Sequence, residues 1–167
     1  TINGNSNPSY NSHETLLAWT GLLSKAPSDT ILVCQPNDNK VALMGELSAE
    51  YLQMKGVLGY IVDGGCRDLE FINQIRFPVW SKFFTPRDIV GYWKPTEIGE
   101  PIKIGDVIIK NGDYLIADID GIVIIPRANI TEILTESENL INTESMIRQE
   151  IRGGMDPQKA YLKYQAF

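Results

Sequence analysis

Val57-Leu58-Gly59-Tyr60-Ile61-Val62-Asp63-Gly64-Gly65-Cys66-Arg67-Asp68 is the stretch whose reading decides the fold. Val57 to Val62 is a short apolar run with β-branched and aromatic residues, the pattern of a strand buried on both faces. Asp63-Gly64-Gly65-Cys66 reads as the loop that leaves it, and Asp68 to Gln74 as a short helix. Upstream, Glu46 to Lys55 is amphipathic, with Leu47, Ala49, Leu52 and Met54 on its apolar side, and Gly56 ends it. Thr30 to Cys34 is another apolar strand, and Asn37-Asp38-Asn39 a turn. Before it, Ser12 caps a helix from His13 to Lys25 that carries Leu16, Leu17, Leu22 and Leu23. Helix, strand, helix, strand in so short a span implies a parallel βαβ arrangement. Residues 1–12, rich in Asn and Ser, read as loop.

The character changes after Thr85. Pro78 to Phe84 is a strand, and four short ones follow: Ile102–Ile104, Val107–Ile109, Tyr114–Ala117 and Ile122–Ile125. Asn111-Gly112 and Asp120-Gly121 are turn signals between them, so this half reads as antiparallel. Pro126 stops the last strand. A long helix is predicted from about Arg127 or Asn129 to Arg152, closed by Gly153-Gly154, and Asp156-Pro157 opens a final helix. The expectation is an α/β chain forming one domain over 1–167, with a C-terminal helical extension from about 127.

The totals narrow the function. The chain has 167 residues, 43% hydrophobic and 22% charged, enough for a real core. Its net charge of −6 argues against non-specific nucleic-acid binding, because phosphate backbones demand clustered Lys and Arg. No apolar run reaches membrane-spanning length, and Thr1-Ile2-Asn3-Gly4 has no signal-peptide character. The missing initiator methionine suggests a trimmed chain. Cys34 and Cys66 are the only cysteines, which fits a reducing cytoplasm rather than a disulfide framework.

Three segments carry the candidate chemistry. Asp63 to Asp68 follows a buried strand, where open α/β sheets bind ligands. Arg67 offers a planar fork for a carboxylate or an enolate oxygen, and Asp68 a hard oxygen for Mg²⁺. The competing reading is a turn with a surface ion pair. Gly45-Glu46-Leu47-Ser48-Ala49 begins a helix whose first N–H groups lack intrahelical acceptors and can hold a carboxylate. It equally reads as an ordinary helix start with a dipole-complementing Glu46. Asp118-Ile119-Asp120-Gly121 reads as a tight turn into a core strand.

In that order, Gly45-Glu46-x-x-Ala49, Asp63-Gly64-x-x-Arg67-Asp68, Gly105-Asp106, Gly112-Asp113, Asp118-x-Asp120-Gly121 and Pro126 resemble the RraA-like family. That family contains 4-hydroxy-4-methyl-2-oxoglutarate aldolases and regulators of ribonuclease E activity. The resemblance covers nearly the whole chain. It implies a β/β/α swivelling-domain sandwich: a mixed sheet with a parallel βαβ half and an antiparallel half, plus a long C-terminal helix. It implies a homotrimer, or a hexamer of two trimers, with sites between subunits. By similarity, Asp68 would hold Mg²⁺ or Mn²⁺ largely through waters. Arg67, Gly45 and the N–H groups of Leu47 and Ser48 would bind the pyruvyl group, with Glu46 as a nearby acid. Glu144 is the candidate for a glutamate supplied by a neighbouring subunit, against a solvated helix face. The implied activity is pyruvate aldol cleavage, with oxaloacetate decarboxylation through the same metal- and arginine-stabilised enolate.

The aldolases usually have a further segment before the position of Thr1. The rival reading is a non-catalytic regulator that binds ribonuclease E. That branch typically lacks the acid after the arginine and ends soon after the last strand, whereas this chain has Asp68 and a long helical C-terminus. A phosphohistidine domain would need His13 in a Gly-rich loop, which it lacks, and no G-x-G cofactor loop supports methyl transfer. Phe83, Phe84, Tyr92 and Trp93 read as a subunit interface, with core and a substrate-facing wall as the alternatives. Lys82 and Arg87 are candidates for a distal carboxylate.

Overall fold

The computed structural model describes all residues from Thr1 to Phe167, which form two compact units, 1–111 and 112–167. The first is built on a five-stranded sheet in the order β4-β3-β2-β1-β5. These strands are β1 (Ile2–Ser6), β2 (Ile31–Gln35), β3 (Gly59–Cys66), β4 (Val79–Phe84) and β5 (Trp93–Ile98). The first four run parallel and β5 returns antiparallel against β1. The helices are α1 (Ser12–Lys25), α2 (Glu46–Met54) and α3 (Leu69–Ile75). A hairpin of β6 (Ile102–Ile104) and β7 (Val107–Ile109) completes the unit.

The βαβ expectation holds, with corrections at its edges. Residues 2–6 form a strand, not a loop: Ile2 is buried and pairs with Cys34 on one side and Ile98 on the other. Polar Asn and Ser obscured it, because only alternate positions of β1 face the core. Asn11, not Ser12, caps α1, accepting from the N–H groups of His13 and Glu14. Of the readings open for Trp93, core is the one realised: it is fully buried, and its indole donates to the Pro36 carbonyl at 2.8 Å. Phe84 is exposed and Phe83 half-buried.

β3 also runs further than expected, through Gly64 and Gly65 to Cys66. The reason is a close parallel approach by the segment before α2. Ala42 bridges to Gly65, and the Leu43 N–H donates to the Gly65 carbonyl at 2.9 Å. A Cβ at Gly65 would lie 2.5 Å from the Val41 carbonyl and 2.7 Å from the Phe83 ring, so only glycine fits.

The second unit holds the hairpin β8 (Tyr114–Ala117) and β9 (Ile122–Ile125), then a 3-10 turn at Arg127–Asn129, α4 (Ile130–Arg152) and α5 (Pro157–Tyr164). Asp118 closes the hairpin turn by accepting from the N–H groups of Asp120 and Gly121. The strands expected to form one antiparallel half are therefore two separate hairpins. Asp156 caps α5, Pro157 occupies its first turn, and Lys163 pairs with Glu150 of α4. No helix is long and apolar enough to cross a membrane.

Gly65→Ala is expected to destabilise the protein by about 1–3 kcal/mol, because the obstructing atoms include backbone. Gly21→Ala, inside α1 with open space around it, is expected to stabilise by about 0.5–1 kcal/mol. Urea unfolding midpoints of the two variants check both signs.

Candidate active site

Four backbone hydrogen bonds assemble the site at the carboxyl end of the parallel strands. The Leu43 N–H meets the Gly65 carbonyl, and the Arg67 N–H meets the Met44 carbonyl, both at 2.9 Å. The Ala42 N–H meets the Arg87 carbonyl at 2.8 Å, and the Thr85 N–H meets the Cys66 carbonyl at 3.1 Å. These contacts draw together the start of α2, the end of β3 and the segment after β4. Residues far apart in sequence thus become neighbours: Gly45 and Glu46, Arg67 and Asp68, and Asp88.

Asp68 does not begin α3 as expected. It precedes that helix in the left-handed conformation (φ 57°, ψ 38°), and its side chain makes no cap to α3. Asp tolerates this backbone better than most residues. Its Oδ2 instead accepts the Glu46 N–H at 3.0 Å and lies 3.4 Å from Arg67 Nε. The carboxylate thereby satisfies one of the first N–H groups of α2 and complements the helix dipole. The Leu47 and Ser48 N–H groups follow in the same turn, and the first intrahelical bond there runs from the Ala49 N–H to the Gly45 carbonyl.

Gly45 is needed for space rather than for conformation. Its φ of −147° suits any residue. A Cβ there would stand 2.7 Å from Asp68 Oδ2 and 2.8 Å from Arg67 Nε.

Asp88 is the residue that sequence reasoning missed. Arg67 Nη1 donates to its Oδ2 at 2.5 Å. Burial pushes the Asp88 carboxyl up, but the Arg67 hydrogen bond and charge and the N–H groups of Val90 and Ile89 outweigh it. The carboxyl therefore titrates below its ordinary value. Arg67 is held from two sides, at Nε and Nη1, which fixes the plane of its fork. Thr85-Pro86-Arg87-Asp88 carried a weak signal: an Asp in a Pro-containing loop after a parallel strand.

The other expected residues fall elsewhere. Lys82 Nζ pairs with Asp63 Oδ1 at 3.0 Å, and Arg87 stacks on the Tyr92 ring. Glu144 is exposed on α4, in the second unit. Cys66 is buried beside Arg67, and burial pushes its thiol up to about 11, which makes it a poor nucleophile.

A cavity of about 370 Å³ opens beside Gly45, Leu47, Ser48, Arg67 and Asp88. A shallower depression on the other side is bordered by Arg67, Asp68 and Thr85. Nowhere do three or more His, Cys, Asp or Glu residues gather into a metal cage. The donor set at Asp68 is one carboxylate, whose two contacts both fall on Oδ2, leaving Oδ1 for a cation. That fits a hard ion such as Mg²⁺, which takes few carboxylates and keeps several waters.

The Arg67–Asp88 pair predicts a pH signature. Because the Asp88 carboxyl is depressed in the folded state, its contribution is present above its ordinary value of 3.8 and is lost as pH falls through the lower folded value. Half-exposed as the pair is, the contribution is at most about 1 kcal/mol. Asp88→Asn should therefore be less stable than the wild type at pH 7, with the gap closing below about pH 4; urea midpoints across pH check this. A gap unchanged by pH would mean that Asp88 acts through packing.

The RraA-like family (Aldolase/RraA) matches residues 10–124. An uncharacterized protein of Methanocaldococcus jannaschii is 32% identical over 89% of this chain and 70% of its own length. A Halalkalibacterium halodurans protein, provisionally named a 4-hydroxy-4-methyl-2-oxoglutarate aldolase, is 25% identical over 91% of this chain and 72% of its own. The crystal structure of Streptomyces coelicolor RraAS2, described as an unusual member of the RNase ES inhibitor RraA family, superposes with a TM-score of 0.76 at 24% identity. It matches 89% of this chain and 75% of that one, which shows the shared fold. With the family match spanning most of the chain and the sheet, its crossovers and the long C-terminal helix in place, the chain belongs to the RraA-like family.

Proposed function

We propose that the chain is a divalent-metal-dependent pyruvate aldolase of the 4-hydroxy-4-methyl-2-oxoglutarate type, with oxaloacetate decarboxylase activity. The observation that carries this reading is a braced Arg67 shared by two recesses, one lined also by Leu47 and Ser48 at the start of α2 and the other by the Asp68 carboxylate. Those groups match the head of a 2-oxo acid. The helix-start N–H groups bind its carboxylate. Arg67 faces the keto oxygen.

The chemistry follows from where charge develops. The C4 hydroxyl gives up its proton, the C3–C4 bond breaks, and a carbonyl compound leaves. The electron pair flows toward the keto oxygen, forming pyruvate enolate, which is then protonated at C3. Arg67 stabilises the enolate more than the neutral ketone, and that difference lowers the barrier. Asp88 and Asp68 hold the guanidinium in place, so little reorganisation accompanies the charge shift. Asp68 would hold Mg²⁺ or Mn²⁺, which would supply further positive charge to the developing enolate. Glu46, exposed at the start of α2, is the nearby acid, and Glu144 of a neighbouring copy is the second candidate to take the hydroxyl proton. In oxaloacetate, carbon dioxide leaves instead and the same enolate forms.

The reading includes a homotrimer, or a hexamer of two trimers. Exposed Leu134, Leu140 and Ile141 on α4 support burial against another copy.

The test is pyruvate release from oxaloacetate by the assembled protein, with Mg²⁺ or with EDTA, for wild type and Arg67→Ala. Metal-dependent turnover that falls by roughly 10²–10³ in the variant is expected. No turnover by metal-loaded protein, together with direct binding to ribonuclease E, would replace the lyase by a regulator.

A further inference from the structure

The recess beside Arg67 has apolar walls, Leu16, Trp19 and Leu23 of α1 and Leu47 of α2, interrupted by a few hydroxyls. The hydroxyls are not equivalent. Those of Thr20 and Ser24 donate to the Leu16 and Thr20 carbonyls of their own helix, at 2.7 and 2.8 Å, so their protons are engaged. Ser48 differs. Its oxygen accepts the Trp19 indole N–H at 3.0 Å, which occupies a lone pair and leaves the hydroxyl proton to be donated elsewhere. The Tyr51 hydroxyl has no hydrogen-bond partner within the chain, although Tyr51 lines the same recess.

Helix geometry brings the two unspent donors together. Ser48 and Tyr51 are three residues apart and share a face of α2. Side chains on a helix lean toward its N-terminus, so the Tyr51 phenol is carried back toward the turn of Leu47 and Ser48. Their axial separation of about 4.5 Å suits the short chain between the two carboxylates of a glutarate skeleton. Lys55, one turn beyond Tyr51, flanks this end of the recess. Its ammonium donates to the Leu23 carbonyl at 3.4 Å and to the Ser24 carbonyl, and lies 6.0 Å from the Tyr51 ring centroid. A cation over the ring draws electron density from the phenol and makes its O–H a stronger donor. Asp88, the one anion lining the recess, is neutralised by Arg67.

A 2-oxo acid with its head at Arg67 and the start of α2 directs its remaining carbons along this wall. Two hydroxyl protons without acceptors match a group rich in lone pairs, and a carboxylate takes both. An alkyl end would leave them unmatched. We propose, resting on the aldolase reading above, that the Tyr51 and Ser48 hydroxyls form the subsite for the distal, C5 carboxylate of a 4-hydroxy-2-oxoglutarate-type substrate, and that Tyr51 sets the preference for dicarboxylates. Tyr51 touches no reacting bond. It anchors the fragment beyond the C3–C4 bond, which leaves as a second 2-oxo acid.

The experiment is calorimetric titration of the assembled, Mg²⁺-loaded protein with 2-oxoglutarate and with 2-oxopentanoate. The two share the 2-oxo acid head and the chain length, and differ only in the distal carboxylate. Neither carries a C4 hydroxyl, so neither undergoes aldol cleavage. The wild type is expected to bind 2-oxoglutarate about tenfold more tightly than 2-oxopentanoate. Tyr51→Phe, which keeps the ring, is expected to remove most of that preference by weakening 2-oxoglutarate alone. Unchanged 2-oxopentanoate binding then reports an intact fold and head site. A preference absent from the wild type or retained in full by Tyr51→Phe overturns the proposal, as does an equal loss for both ligands, which marks Tyr51 as structural. Oxaloacetate turnover by the wild type, measured on the same preparation, separates this subsite from the reading it rests on. Turnover with a preference that Tyr51→Phe leaves untouched retains the lyase and removes the subsite. A Tyr51-dependent preference without turnover retains the subsite and removes the lyase.

Discussion

Gly65 passes so close to the Val41 carbonyl that no side chain can stand between them. The remainder of the site depends on this contact. Because β3 and the Val41–Met44 segment touch backbone to backbone, the Gly65 and Met44 carbonyls reach the N–H groups of Leu43 and Arg67. The start of α2 is thereby registered against Arg67 and Asp68. A larger residue would separate the segments and move the helix start away from the arginine, even with every polar side chain retained. The glycine therefore contributes to chemistry through distance, since it carries no functional group of its own.

Around that contact the charges are arranged in a chain: the α2 N–H groups, the Asp68 carboxylate, the Arg67 guanidinium and the Asp88 carboxylate. Each member neutralises its neighbour, which is why these partly exposed charges can hold defined positions. The arginine is flanked by two anions and keeps its fork oriented toward the cavity mouth.

The sequence carried the parallel core openly. Strands buried on both faces read as unbroken apolar runs, so β2 and β3 stood out, and α2 announced itself by its apolar spacing and by Gly56 after its end (φ 80°). β1 did not, because Ile2-Asn3-Gly4-Asn5-Ser6 is mostly polar and its pairing partners lie more than 25 residues away. The final strands were legible one by one. Their division into two separate hairpins was not, because turn residues specify local reversals and say nothing about which strands pair beyond them.

Arg67, Asp68 and the Gly45–Ser48 segment were legible as candidates because residue type and position after a strand or at a helix start limit what they can do. Sequence by itself determined the kinds of group available: one arginine fork, one hard carboxylate oxygen, one helix start. Tertiary structure alone decided their partners. It turned Asp68 from the first residue of α3 into a cap for α2, through a left-handed backbone at one residue. It also brought in Asp88, 21 residues beyond Arg67, through a hydrogen bond from the Ala42 N–H to the Arg87 carbonyl. Periodicity and spacing describe what a segment presents on its own faces. Contacts between the ends of different strands depend on sheet order and register, which arise only when the whole core is packed.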